Sequence, residues 1–206
     1  MSSEIVEAAN VESFFHESVS DSISSQNLDV CDETVVYLTH LLTRYVRSDE
    51  LFEQGEEGVQ LKPLAVLYCN AAETRDLQAR RDYLRKLGDL ALFISGWFAH
   101  NLERRRVGVR YYVQMGECAY EWLSECRTAT VRDRVFAQIF QDLAAHFSEM
   151  RDVISEIHMS VETRTDSDLL GLYELWQRSG SVRAAEMLRS EGIDVVPAGP
   201  DSETPH

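Results

Sequence analysis

Residues 89–106 read DLALFISGWFAHNLERRR, and this stretch decides the fold. Its first half, around Leu92, Phe93 and Phe98, is apolar on nearly all sides of a helix, whereas its last residues are polar. A helix that is apolar all round is normally buried, because every face must be covered by other elements. The apolar run is much shorter than the ~18 to 20 residues that a membrane span needs. The stretch therefore predicts the central helix of a helical bundle.

Apolar residues recur at helical spacing on both sides of this stretch. They predict helices over residues 11–25, 32–52, 63–86, 109–126, 130–159 and 182–191, with a short helix after Thr165. Gly88 is expected either to break the chain between two helices or to lie at a close helix contact. No stretch alternates long enough to indicate a strand. We expect an all-α fold, a single-domain bundle of about six to eight helices.

The length and composition favour one folded domain. With 206 residues, 44% hydrophobic and 27% charged, the chain is ordinary for a globular protein and unlike a disordered one. We expect a flexible N-terminus over residues 1–10, one helical domain over residues 11–193 and a disordered tail over residues 194–206. The tail has two prolines in VVPAGP and no helical spacing.

The net charge of −15 is unevenly distributed along the chain. The balance is −11 over residues 1–60, +5 over residues 61–110 and −9 over residues 111–206. An overall negative field repels a phosphate backbone, so we expect no binding to nucleic acid. The basic middle either pairs with the acidic thirds of the same chain or receives an acidic partner.

Four arginines of this basic middle are the candidates for partner binding, namely Arg104, Arg105, Arg106 and Arg110. Successive helical residues are turned by ~100°, so three consecutive arginines cannot share one face. The helix dipole also favours arginines near a helix C-terminus without any partner. If the arginines are functional, we expect an acidic surface to dock on them, from another protein or from the N-terminal third of a second copy.

The cysteines and the N-terminus indicate the compartment. Cys31, Cys69, Cys118 and Cys126 contain no C-x-x-C pair, which argues against a zinc ribbon or a thioredoxin-type site. The segment MSSEIVEAANVE is acidic and resembles no secretory signal. We expect reduced thiols in a cytoplasmic protein that does not contact a membrane. Eighteen of the twenty basic residues are arginine, which is typical of a GC-rich bacterial genome.

Metal ligands are sparse in the predicted helices. None of the histidines there has a glutamate three positions earlier, so the Glu-x-x-His signature of di-iron bundles is missing. The weak candidates are Asp142, His146 and Glu149, which offsets of four and three residues place on one helical face. The same spacing is typical of a solvated surface. His100, at the end of the apolar run, is a second candidate for haem or acid–base chemistry, although such a histidine more often caps carbonyls or faces water.

Motifs of catalysis are not found in the sequence. It contains no G-x-S-x-G elbow and no glycine-rich loop of the kind that binds phosphates. Glu117 and Glu121 lie one helical turn apart, but paired carboxylates at that spacing are common on exposed faces. The sequence therefore names no catalytic residue and no cofactor, and it favours a protein that is not an enzyme.

Residues 172–193, LYELWQRSGSVRAAEMLRSEGI, resemble the first two thirds of a Fis-type helix-turn-helix. The matching positions are Gly180, Val182, Ala184, Ala185 and Leu188. In that family a recognition helix follows at once, whereas here the chain continues as IDVVP after Gly192. The resemblance implies a helical hairpin folded on the bundle and leaves DNA binding as a weaker alternative.

A second likeness lies at residues 87–89, 91–93, Gly96, Phe98, 111–112, 115–116, 119–120, 172–173 and Trp176. At these positions the chain resembles uncharacterised bacterial all-helical proteins. The likeness implies one helical domain and transfers no site residues.

Together these observations favour a non-catalytic regulatory or protein-interaction protein that binds another protein or a second copy of itself. A helical-bundle enzyme, or a protein that binds a small ligand, haem or a metal, is the first alternative. A closed internal pocket with polar groups from different helices would indicate it. A DNA-binding regulator is the second alternative.

Overall fold

The computed structural model of the chain describes residues 2–46, 52–55, 58–61, 64–102, 108–126, 130–161, 173, 175–177 and 180–190. Its helices are α1 (Ser2–Ser25), α2 (Asp32–Val46), α3 (Leu64–Glu73), α4 (Leu77–Trp97), α5 (Ala99–Leu102), α6 (Val109–Glu125), α7 (Val131–Ala145), α8 (Phe147–Val161) and α9 (Val182–Ser190). A hairpin of β1 (Phe52–Gly55) and β2 (Gly58–Leu61) joins α2 to α3. The expected all-α bundle is confirmed.

Helix α4 lies at the centre of the bundle, as its apolar sequence predicts. It contacts α2, α3, α6 and α8, and every residue from Leu87 to Gly96 is buried. Apolar side chains from α1 to α8 join in one core around it. Within the described residues, no helix combines the length and the apolar character needed to cross a membrane.

Two glycines allow the central helices to approach each other closely. A Cβ atom on Gly88 of α4 would lie 2.6 Å from Cε1 of Tyr120, and one on Gly116 of α6 would lie 2.3 Å from Cζ of Phe147. Of the two expectations for Gly88, a break between helices or a close helix contact, the structure therefore shows the close contact. Helix α4 runs through Gly88 without interruption.

The expected helix over residues 63–86 is instead two helices. Helix α3 ends at Glu73 and α4 begins at Leu77, after the side chain of Asp76 accepts a hydrogen bond from the Gln78 amide. Arg80 then donates to the carbonyl oxygens of Ala71 and Thr74. The break is stable because the chain's own side chains satisfy groups that a helix end leaves without partners.

The expected long helix over residues 130–159 also divides. The predicted start is correct, because Thr130 and Asp133 form an N-terminal cap in which each side chain bonds the other's backbone amide. At His146, however, the backbone turns to φ −119° and ψ 31°, which separates α7 from α8. Leu143 and Phe147 are buried on the two sides of the bend. Apolar spacing continues across the bend, so the pattern alone could not show it.

The N-terminal third contains two features that the sequence did not predict. Helical backbone begins at Ser2, ahead of the predicted helix start at residue 11. The segment between the predicted helices over residues 32–52 and 63–86 forms a hairpin in which Gly55 pairs with Gly58.

At the C-terminus, α9 begins and ends close to its predicted bounds. Gly180 adopts a left-handed conformation with φ 65°, and its amide donates to the Trp176 carbonyl. Ser181 caps α9 by accepting a hydrogen bond from the Ala184 amide. Helix α9 contacts α1 and α8, so this part of the expected hairpin lies on the bundle. The expected helix start at Thr165 and the expected tail lie outside the described residues.

Candidate functional site

Asp89 is a carboxylate in the middle of the apolar helix α4 and only 2% exposed. Its Oδ1 accepts two hydrogen bonds, from the hydroxyl of Tyr37 on α2 at 2.5 Å and from the hydroxyl of Tyr120 on α6 at 2.9 Å. A buried charge is costly unless it is hydrogen-bonded, and here two helices each supply a donor. Asp89 therefore connects α2, α4 and α6 by hydrogen bonds inside the core.

Two arginines lie on the other side of this carboxylate. The Nη1 of Arg44 and the Nε of Arg85 are each 3.9 Å from Oδ2 of Asp89. The Arg85 Nε donates to the hydroxyl oxygen of Tyr37 at 3.1 Å. The Arg85 guanidinium lies 5.2 Å from the ring centre of Tyr37 and 5.6 Å from that of Phe136. Both rings attract the cation and restrict its orientation.

The protonation states of this cluster follow from its burial. Burial raises the pKa of Asp89, although the Tyr37 and Tyr120 hydroxyls and the Arg85 charge oppose the rise. Burial and the neighbouring negative charge of Asp89 raise the pKa values of Tyr37 and Tyr120 well above the usual value for tyrosine. Both hydroxyls therefore stay protonated at neutral pH and act as hydrogen-bond donors.

A groove of about 410 Å³ opens above this cluster, and we call it the α2–α7 groove. Its apolar lining comprises Val36, Leu41, Val135, Phe136 and Ile139. Its polar lining comprises Asp32, Glu33, Tyr37, His40, Arg44, Arg85 and Asp89. The volume is within the ~300 to 1,000 Å³ of small-molecule sites.

Asp142, one of the weak metal candidates, caps helix α2. Its Oδ2 accepts hydrogen bonds from the Cys31 amide at 3.0 Å and the Thr34 hydroxyl at 2.8 Å, and its Oδ1 accepts one from Gln138. Burial favours a higher pKa for Asp142, but these hydrogen bonds together lower it below the ordinary aspartate value. The carboxylate is therefore occupied by the chain itself.

The lowered pKa of Asp142 predicts an acid-dependent loss of stability. Its stabilisation is present above the unfolded-state pKa of ~3.9 and is lost as pH falls through the native pKa. We expect Asp142→Asn to lower the free energy of unfolding by ~1 to 3 kcal/mol at neutral pH and by less below pH ~4. Urea titrations across this range measure the difference. The exposed Asp21→Asn is the control, and a difference for Asp142→Asn that does not change with pH would contradict the prediction.

The three metal candidates do not share one helix face, because the bend at His146 separates Asp142 on α7 from Glu149 on α8. Glu149 instead faces Glu117 of α6, where burial and the Glu149 and Glu121 charges raise the pKa of Glu117. In the described part of the chain, no three His, Cys, Asp or Glu side chains lie close enough to hold a metal ion.

The arginine candidates are only partly within the described residues. Arg104, Arg105 and Arg106 lie outside them, and Arg110 is exposed in the first turn of α6. The backbone of His100 belongs to α5. The structure therefore leaves the arginine run as a prediction and places its last member on the surface.

A third buried carboxylate, Glu156 of α8, connects the two ends of the chain. It accepts hydrogen bonds from Ser22 of α1, from Gln26 just after α1 and from Ser181 just before α9. Among the described side chains, every buried nitrogen or oxygen atom has a hydrogen-bond partner.

The outer face of α3 is another feature that no pattern in the sequence indicated. Helix α3 has one charged residue, Glu73, in ten. Only Leu64 and Ala71 are buried, whereas Val66 and Tyr68 are 53% and 55% exposed. Beside this face, a groove of about 370 Å³ lies between α3, α4 and α6, and half-buried Met115 and Trp122 line it.

One signal in the sequence could have located the Asp89 cluster. Asp89 is the charged residue at the start of the apolar run, and charged residues are rarely buried unless they are paired. Its partners Tyr37 and Tyr120 are 52 and 31 residues away, so no local spacing relates them.

Comparison of the chain with protein-family models, with curated proteins and with solved structures finds no match in any of the three.

Proposed function

We propose that the chain is a non-catalytic regulatory protein of the bacterial cytoplasm that acts through protein–protein contacts, and that α3 pairs it with a second copy. The observation that carries the proposal is the exposed apolar face of α3 around Val66 and Tyr68. Exposed Ala65, Cys69 and Ala72 lie between these two side chains around the helix, so the exposed surface has little polarity. Exposed apolar surface of this kind marks interaction sites.

The charge of the protein favours a second copy as the partner for α3. Two copies that each carry −15 repel each other, so a contact between them is least opposed where each surface has little charge. Helix α3 meets this condition, because Glu73 is its one charged residue. A helix face that pairs with itself across a two-fold axis also gives the closed symmetry that most homodimers have.

The polar interior supports a role without catalysis. The carboxylates of Asp89, Asp142 and Glu156 each accept hydrogen bonds from at least two groups of the chain itself. Groups used in this way hold helices together. The cytoplasmic location rests on the free state of all four cysteines, since disulfides are rare in that compartment.

The proposal predicts self-association that strengthens as salt is added. Salt screens the repulsion between two negative copies and leaves the apolar contact intact. Sedimentation velocity from ~1 to ~100 μM protein, at low and high salt, measures the dissociation constant. We expect the double variant Val66→Ser, Tyr68→Ser to weaken association at least ~10-fold without lowering the melting temperature, because both side chains are exposed.

A matched control separates α3 from other apolar surface. Val161→Ser with Val182→Ser changes two valines that are equally exposed, on α8 and α9, and should leave association unchanged. A monomer at every salt concentration would refute pairing through α3. Association that salt weakens, and that Arg105→Glu with Arg106→Glu abolishes, would assign the contact to the arginine run and an acidic partner surface.

A further inference from the structure

We propose that the α2–α7 groove binds a small monoanionic amphipathic molecule, an organic carboxylate with an apolar body. The carboxylate would lie between Arg44 and Arg85, and the apolar body would lie along Val36, Val135 and Ile139. This inference goes beyond the proposed function and does not depend on pairing through α3.

The two arginines have donors that the cluster does not use. Among the described residues, Arg44 makes no hydrogen bond, and its contact with Asp89 is a 3.9 Å approach. Arg85 donates from Nε to Tyr37, which leaves its two terminal amino groups for another acceptor. The Tyr37 and Phe136 rings already hold this guanidinium in place, so a ligand would lose little entropy in ordering it.

The charges at the floor of the groove leave one positive charge unbalanced. Arg44 and Arg85 face a single carboxylate, Asp89, whose Oδ1 already accepts both tyrosine hydroxyls. One negative charge on a ligand would balance the net positive charge of Arg44, Arg85 and Asp89. A carboxylate also matches the paired N–H groups of a guanidinium.

At the other end of the groove, two carboxylates would repel a second negative charge on the ligand. Asp32 and Glu33 begin α2, ~16 to 18 Å from Arg44 along the helix axis. Between the two ends, His40 contacts Glu12 of α1 at 3.1 Å. A dicarboxylate that fills the groove would bring its second charge towards Asp32 and Glu33, so the groove selects a monoanion.

The walls of the groove supply the apolar contact. Val36 on α2 and Val135 on α7 are both exposed although they are large and apolar, and both line the groove. Buried Leu41 and Ile139 continue the same surface inwards. An apolar ligand body would cover side chains that the chain itself leaves uncovered.

Three probes of equal chain length test the proposal, namely octanoate, octanamide and octanedioate. Each is titrated at constant ionic strength into ¹⁵N-labelled protein, and amide and arginine Nε shifts are followed. We expect saturable shifts with octanoate that include the Arg85 Nε–H and the amides of Tyr37 and Val135. We expect octanamide to bind at least ~10-fold more weakly, because it offers no charge to the arginines. We expect the same of octanedioate, because its second carboxylate would lie against the apolar wall that Val36 and Val135 form.

Variants then assign the binding to the groove. Arg44→Gln and Val36→Ser should each weaken octanoate binding, the first by at least ~10-fold, and leave the melting temperature unchanged, because both side chains are exposed or half-exposed. Arg75→Gln and Val161→Ser are the matched exposed controls and should leave binding unchanged.

Three results would overturn the proposal. The first is no saturable shift with octanoate up to ~10 mM, a concentration that detects very weak binding. The second is equal binding of octanoate and octanamide. The third is a set of shifts confined to the groove beside α3.

Discussion

Replacing Phe93 with alanine is expected to lower the free energy of unfolding by ~3 to 5 kcal/mol, as for other large side chains removed from a packed core. Phe93 is 1% exposed in the central helix α4. Its ring centre lies 5.4 Å from that of Trp97, on which it stacks, 5.3 Å from that of Tyr45 and 6.2 Å from that of Phe98. Because protein interiors are close-packed, the side chains around Phe93 could fill the resulting cavity only by leaving their own contacts.

Urea titration of the wild type and of Phe93→Ala measures this loss. Phe14→Ala is the control, because it removes the same side chain from α1 at a position that is 42% exposed, and it should cost less than ~1 kcal/mol. A loss below ~1 kcal/mol for Phe93→Ala would mean that α4 is not the core helix.

Replacing Asp89 with alanine is expected to cost roughly 2 to 6 kcal/mol, because it leaves two buried hydroxyl donors without an acceptor at ~1 to 3 kcal/mol each. Tyr37 and Tyr120 both donate to Oδ1 of Asp89, and both are buried. The loss would appear in urea titration, and a stable Asp89→Ala protein would show that the hydroxyls find other acceptors.

Asp89→Asn separates hydrogen bonding from charge. The asparagine oxygen can accept both hydroxyls, so this variant should be more stable than Asp89→Ala. Because burial raises the native pKa of Asp89, the folded state holds its proton more tightly than the unfolded state does. The stability of the wild type, relative to Asp89→Asn, should therefore fall as pH rises from the unfolded pKa of ~3.9 to the raised native pKa. The opposite trend would mean that the ionised carboxylate is favoured in the fold.

Features that depend on a few consecutive residues were predictable from the sequence. The apolar run around Phe93 indicates the central helix, Thr130 and Asp133 indicate the start of α7, and Gly180 indicates the turn before α9. Each follows from local geometry, such as the face of a helix, the reach of a capping side chain or a left-handed backbone.

The apolar spacing of α6 does not identify its buried face, and Gly116 explains why. Tyr112, Met115, Ala119 and Trp122 recur at helical spacing, yet the buried set is Gly116, Ala119, Tyr120 and Leu123. Gly116 has no apolar side chain, so a count of apolar residues omits it although it lies against Phe147. Burial here depends on how closely two helices approach, which spacing along one helix does not report.

The Asp89 cluster and the α2–α7 groove were not predictable for a different reason. Both arise from side chains on α2, α4 and α7 that the fold brings together from distant parts of the chain. Whether Arg44 faces Asp89 or solvent depends on how α2 and α4 pack, and the sequence of either helix is compatible with both.

The hydrogen bonds between residues that are far apart in the sequence have a consequence for the synthesis of the chain. Ser22 is 134 residues from its partner Glu156, and Thr34 is 108 residues from Asp142. A ribosome that adds ~5 to 20 residues per second needs roughly 5 to 30 s to make the later partner. During this interval α1 and α2 can pack on each other, but α1 lacks its contact with α8 and α2 lacks its contact with α7. The nascent chain is therefore most exposed to chaperones and to aggregation before residue 156 has left the ribosome.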